Sequence, residues 1–416
     1  MALSTLPKLK VLISGAGIAG PCLAYWLAKT RPNYSITVLE RSPVPRATGQ
    51  AIDIRGAAIE IIKKMKLEEA VRTRGTTEEG TRILSASGKT IAEFGKGDTF
   101  TADYEILRAD LCGLFLEATE NLKNVRYVYG DYVTSLQQTD KDVTVTYDGG
   151  SKEDFDLVVG ADGATSKIRA MILDEQVRKD SYKFIGQYVA YFSIPRQSSD
   201  TKHWYWYNAP KGLALMTRPH RNPSTIGAYT CYTLPAHGQH EPAIEEALKQ
   251  GPEAQKRIIH KYFDDAGWEA KRILDGMDKA DDFYMSRAAL VRLPKWTNGR
   301  TVVLGDAAFA TFGVGTTLAI HSAYVLAGEL SKVQSTDDIR RAVARYEEVF
   351  RPIYAKSEDP MPGFPQIAFP QTGWGLRVRD TLLWLVSRTK AYKLLPADKE
   401  ENSPLPEYDW VGESRL

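Results

Sequence analysis

Between Lys10 and Gly20 the chain reads Lys-Val-Leu-Ile-Ser-Gly-Ala-Gly-Ile-Ala-Gly, and no other stretch limits the fold as much. Val11 to Ser14 is a short apolar run of the kind that forms a buried strand. Gly15, Gly17 and Gly20 follow as G-x-G-x-x-G, and an apolar helical pattern begins at once with Leu23, Ala24, Trp26 and Leu27. Glycine at the first position permits the sharp strand-to-helix turn. At the second it lets a pyrophosphate approach the backbone, and at the third it lets helix and strand pack closely. The free N–H groups at the helix start then face the phosphates. A second strand, Ser35 to Leu39, ends in Glu40, which lies where an acid would meet a ribose hydroxyl.

A chain of 416 residues exceeds one simple core, which predicts two domains and a tail. A net charge of +2, with Lys and Arg scattered, gives no reason to expect nucleic acid. Cys22, Cys112 and Cys231 form no C-x-x-C pair, which fits a reduced, cytoplasmic protein. Neither a signal peptide nor a membrane span is expected, because Leu382 to Val386 is too short and is flanked by Arg379 and Arg388.

The fold class expected is α/β: a Rossmann-like nucleotide-binding domain with an inserted antiparallel sheet and a C-terminal helix. The nucleotide part comprises 1–75, 101–178 and 283–360. The insert comprises 76–100 and 179–282, where Tyr182 to Pro235 is rich in alternating and aromatic residues. Residues 241–276 read as two helices. Residues 361–416 supply a Pro-rich connector, a helix over about 374–395, and a polar tail, Pro396–Leu416, expected to be loosely held.

Two further signatures sit at strand ends. Gly160-Ala-Asp162-Gly163-Ala-Thr-Ser-Lys-Ile-Arg169 follows the apolar run Phe155 to Val159. Gly305-Asp306-Ala-Ala follows Thr301 to Leu304 and leads toward a helix from about Thr316. An aspartate at the carboxyl end of a strand in an open α/β sheet faces the ligand crevice.

Taken in order, G-A-G-I-A-G, Glu40-Arg41, Arg108, G-A-D-G-A-T-S-K-I-R and G-D-A-A resemble the single-component FAD-dependent aromatic monooxygenases, the para-hydroxybenzoate hydroxylase type. Gly49 to Ala58 is most similar to the tetracycline-oxidising and fungal secondary-metabolism branch. The resemblance covers about residues 8–355. It implies tightly held, non-covalent FAD, a transient NADPH or NADH, and O2 delivered through a flavin C4a-hydroperoxide to a small aromatic, polycyclic or terpenoid-like molecule. It also implies a monomer or homodimer. Position by position, Gly15, Gly17, Ala19 and Gly20 would hold the pyrophosphate, Glu40 the ribose, and Arg41 would lie beside the adenine. Arg108 would reach the flavin or its phosphates, Asp162 and Gly163 would touch FAD, Asp306 would hold the ribityl chain, and Gly313 would turn against the ring. No catalytic residue is singled out, and no second G-x-G-x-x-G serves a nicotinamide cofactor. In one respect the chain departs from the family: Gly305 to Gly315 is short and has no proline.

Substrate would lie against the inserted sheet. Gln187, Tyr205, Met216, Arg218 and Tyr229, with Phe312 from the short loop, are its candidate contacts, although alternation allows only half of each strand to face inward. His220 is expected in a solvent loop. His237 and His240 have no third ligand nearby, so no metal site is expected. Two other readings stay open: a flavin reductase or dehydrogenase without oxygen insertion, and a relative that has lost redox chemistry and acts as a cyclase, isomerase or binding module.

Overall fold

The computed structural model describes residues 8–46, 49–98, 100–357, 362–394 and 405–410. Its first layer is a six-stranded sheet in the order Thr297–Asn298, Thr301–Val303, Leu157–Gly160, Lys10–Ser14, Ser35–Glu40, Val125–Tyr129. All neighbours are parallel except the first pair. Central strands of such a sheet are covered on both faces. Accordingly Val11, Leu12, Ile13 and Leu157 to Val159 are completely buried.

One covering helix is Ala19–Thr30 and another is Gly315–Leu330, which is buried along nearly its whole length. An apolar helix of this kind is a core element rather than a surface one. Among the described residues, no helix is long and apolar enough to cross a membrane.

The second layer is a seven-stranded sheet: Tyr284–Val291, Tyr182–Pro195, Thr225–Thr233, Leu213–Arg218, His203–Ala209, Gly80–Leu84, Thr90–Gly95. It is not purely antiparallel, because Gly80–Leu84 lies parallel to His203–Ala209. These two strands are distant in sequence, so no hairpin dictates their direction. Tyr284–Val291 also differs from the expected boundary at 283, since it pairs with Tyr182–Pro195 in this sheet. Three helices rather than two cover one face: Pro242–Gln250, Pro252–Phe263 and Ala270–Lys279.

The tail also departs from expectation. Residues 396–404 and 411–416 lie outside those described, but 405–410 are docked on the nucleotide domain. The Trp410 ring lies 4.5 Å from Trp26 and 5.0 Å from Tyr324, and is buried. Tyr408 lies flat on Gly328, where any Cβ would meet its ring at 2.3 Å. Two aromatic anchors hold a segment that otherwise reads as polar.

Candidate cofactor and substrate site

The glycine turn is fixed by backbone contacts. A Cβ on Gly15, whose φ is +116°, would lie 2.3 Å from the Ala161 carbonyl oxygen, and one on Gly20 would lie 2.0 Å from that of Gly15. Gly17 is different: the one neighbour recorded within 4 Å of such a Cβ is Arg108 Nη2, at 3.8 Å. The turn is therefore open to a ligand only at Gly17, beside a guanidinium. Ala19, expected at the cofactor, is instead buried against the other signature. A Cβ on Gly305 would touch its methyl at 3.1 Å.

The Glu40 carboxylate accepts hydrogen bonds from the Ala16 N–H (3.0 Å) and the Ser42 N–H (2.9 Å), so it sits against the turn. Each oxygen keeps a lone pair for a hydroxyl. Arg41 beside it is exposed.

Asp162 has local work that its motif did not reveal. Its carboxylate accepts from the Ser166 hydroxyl and from the N–H groups of Lys167 (2.8 Å) and Ile168 (3.2 Å), closing the start of helix Lys167–Ile172. Burial raises its pKa, against the pull of those bonds. Gly163, at φ +83°, faces open space. Arg169 is a connection that sequence reasoning missed. It is buried, and Nη1 donates to the Ala307 carbonyl (2.9 Å), tying the second signature to the third.

Asp306 lies at the start of Gly315–Leu330, with Oδ1 3.3 Å from where a Gly315 Cβ would be. Burial raises its pKa, and Arg108 counters that. Neither the Asp306 carboxylate nor the Arg108 guanidinium has a hydrogen-bond partner among the described residues. Leaving two such groups unmade in a crevice is costly unless a ligand meets them. A cation and an acid along one crevice, with an open glycine turn at its end, fit FAD, whose phosphates are anionic and whose ribityl chain is a row of hydroxyls. Gly313 takes φ +87° with free space around it.

The register of the inserted sheet decides which candidates face this crevice. Val189, Met216, Tyr229 and Cys231 pack together on one face, with Trp204 and Trp206. Gln187, Tyr191 and Arg218 share it by alternation. Tyr205 lies on the other face, among residues packed against Pro252–Phe263 and Ala270–Lys279, and its hydroxyl accepts from Thr201 (2.9 Å). It therefore does not share the face of Met216 and Tyr229. Gln187 is buried and donates to Thr233 Oγ1 (2.8 Å). Tyr229 accepts from the Ala51 N–H (3.3 Å), and the Tyr284 hydroxyl donates to the Gln50 side chain. A cleft of about 340 Å³, partly open to solvent, runs between 49–51 and the ends of these strands; Tyr191, Arg218, Tyr229 and Tyr284 line it. His220 also lines it. It is buried rather than in a solvent loop, and its Nε2 lies 3.0 Å from Thr225 Oγ1.

Arg218 is committed elsewhere than to a ligand. It pairs with Glu78 at 2.8 Å and Glu105 at 2.7 Å, with Asp53 at 3.8 Å, and stacks 4.3 Å over Trp204. Arg55 adds a pair to Asp53 at 2.8 Å. Two guanidiniums against three carboxylates leave one excess negative charge, and a proton on Glu78 removes it. Burial and the neighbouring Glu105 push Glu78 far above the ordinary range, against the pull of Arg218.

The connector lies across the site-facing side. Phe364, Ala368 and Phe369 join the cluster of Met216 and Tyr229. Gln366 donates to the Ile185 (3.0 Å) and Leu234 (3.2 Å) carbonyls, and Gln371 to that of Thr233 (2.8 Å). Phe312, half-exposed, reaches this strap at 4.4 Å from the Phe364 ring. Phe309 of the short loop points into the core instead, against Trp296 and Phe350.

The family model described as "FAD binding domain" matches residues 8–359. Monooxygenase CTB7 of Cercospora beticola is 36% identical over 97% of this chain and 98% of its own length. The crystal structure of tetracycline destructase Tet(51) is similar with a TM-score of 0.77 and 29% identity, covering 97% of this chain and 99% of its own. Klebsiella pneumoniae HpxO, complexed with FAD and uric acid, shares the fold: TM-score 0.70, 19% identity, covering 92% of this chain and 95% of HpxO.

Proposed function

The chain belongs to the FAD binding domain family and is an FAD-dependent monooxygenase, and on that premise we propose that it uses NAD(P)H and O2 to hydroxylate or epoxidise a small aromatic, polycyclic or terpenoid-like molecule of secondary metabolism. The observation that carries the reading is the meeting, at 49–51, of two surfaces. One is the crevice of Gly17, Arg108 and Asp306. The other is a strapped, largely apolar and aromatic sheet face.

Bound FAD supplies the redox and oxygen chemistry. In this reading Gly15 and Gly20 set the turn, Gly17 admits the pyrophosphate, and the start of Ala19–Thr30 faces it. Arg108 offsets phosphate or flavin charge. Glu40 and Asp306 accept from ribose and ribityl hydroxyls, with Arg41 near the adenine and Asp162 and Gly163 beside the second signature. The start of Gly315–Leu330, behind the Gly313 turn, opposes negative charge on the reduced ring. Gln187, Met216, Tyr229 and Phe312 border the substrate, and the strap excludes water from the reacting centre. Arg218 shapes this wall through its carboxylates.

The purified protein should be yellow and should oxidise NADPH faster with an accepted polycyclic substrate. Under heavy-isotope oxygen gas the product should carry one labelled atom. A colourless protein that takes up no FAD, or turnover to an unlabelled product, would overturn the reading.

A further inference from the structure

Among the described residues, nothing covers one face of the C-terminal helix, Gly373–Thr389. Its inner side is well seated. Leu376 is buried, and Leu383 and Val386 pack against the cluster of Ile83, Ala92 and Phe94. Thr372 caps its start by accepting from the Gly375 N–H (3.0 Å), and Arg379 donates to the Ala368 carbonyl (3.0 Å). The helix is therefore held in this orientation. Outward, Trp374, Val378, Leu382 and Leu385 recur at helical spacing along a single stripe and are between 41% and 74% exposed.

Charge says what kind of partner this stripe fits. Arg377 and Arg388 border it and are exposed, and Lys390 and Lys393 follow its end. The single acid of the helix, Asp380, is already paired with Arg379. An apolar stripe carrying tryptophan, edged by arginines with no ion pair among the described residues, is the pattern of a helix lying in a lipid interface. A second copy of the chain fits less well, since a two-fold contact through this stripe would set like charges side by side.

We propose that Gly373–Thr389 docks on an anionic membrane surface, with the stripe entering the boundary between headgroups and acyl chains and Arg377 and Arg388 meeting lipid phosphates. The helix starts where the strap over the sheet face ends, so docking would place the substrate wall close to the lipid. This goes beyond the proposed chemistry and does not depend on it.

The FAD-loaded full chain should sediment with vesicles of phosphatidylcholine and phosphatidylserine. It should bind pure phosphatidylcholine vesicles more than about ten-fold more weakly, and added salt should erase the difference. A Leu382→Ser, Leu385→Ser double variant should lose vesicle binding while keeping its flavin spectrum and NADPH oxidation in solution. Failure to sediment with either vesicle overturns the proposal. So does a wild-type dimer that this double variant converts to a monomer, because the stripe would then be a contact between copies.

Discussion

The cofactor crevice and the site-facing side of the inserted sheet meet at 49–51, yet they are built by opposite means. At the crevice, positions are set by backbone atoms in contact: Gly15 against Ala161 and Gly20 against Gly15. A side chain at any of these has nowhere to go. On the sheet, positions are set by side chains from distant segments: Arg218 between Glu78 and Glu105, Tyr229 on Ala51, Gln366 and Gln371 tying down the strap. The first construction admits one residue type and tolerates no change. The second admits many solutions, and its strength lies in completed charge and hydrogen-bond sets.

The contrast is broken most directly at the glycines. Gly20→Ala places a methyl 2.0 Å from a backbone oxygen, and should cost on the order of 3 kcal/mol or more, seen as insoluble protein or a collapsed melting temperature. Gly17→Ala, three residues away, meets only the end of a flexible arginine. The flavin-free protein should melt as wild type, while FAD titration shows affinity weakened at least about ten-fold. Equal damage by both variants would mean that Gly17 serves the fold rather than the ligand.

Next in size is the buried charge cluster. Arg218→Ala strands carboxylates without a cation and should cost about 3–5 kcal/mol by chemical unfolding. Glu78→Gln should be near neutral at pH 7, because the native carboxyl already holds a proton. Its pKa is raised from 4.5 to about 8 by burial and Glu105. A raised pKa stabilises fully below the ordinary value and is lost as pH climbs to the folded one. The wild-type melting temperature should therefore fall between about pH 5 and 8, and the Gln variant should show a flatter profile. A matching fall in both would remove Glu78 from the explanation.

This difference in construction also explains what could be read from the sequence. Where sterics dictate the residue, as at Gly15, Gly20 and Gly305, the motif is the structure, and the nucleotide-binding half was legible. Asp162 was legible as a position but not for its cap on Lys167–Ile172, because a side chain's partner is not encoded in a strand-end signature. The sheet face depended on register, and Tyr205 shows the consequence: one residue from Trp204 and Trp206, it faces the opposite way. The strap was visible only as a run of prolines, since its contacts span more than 130 positions. Tyr408 and Trp410 were hidden in a polar tail for the same reason.

His321 sharpens the comparison within the nucleotide half. It is buried in Gly315–Leu330, its Nε2 has no hydrogen-bond partner among the described residues, and burial lowers its pKa from 6.5 to about 4. The folded state thus favours the neutral ring, so stability falls as pH drops from 6.5 toward 4, by up to about 3 kcal/mol. His321→Leu should keep more stability than wild type at pH 4.5 in urea melts while changing little at pH 8. A variant equally acid-labile would place the loss in the carboxylates.

The smallest effect belongs to Tyr205. Because its ring lies among the helix-facing residues and its hydroxyl meets Thr201 and Arg82 rather than the opposite face, Tyr205→Phe removes half-exposed hydrogen bonds, worth about 0.5–1.5 kcal/mol. KM and kcat for an accepted substrate should stay at wild-type values. Met216→Ala, on the opposite face and buried beside Phe369, should raise KM and uncouple NADPH oxidation from product, because it opens space in the wall that keeps water out. If Tyr205→Phe changed KM and Met216→Ala did not, the register would be assigned to the wrong side, and the wall would have to be sought among the helices.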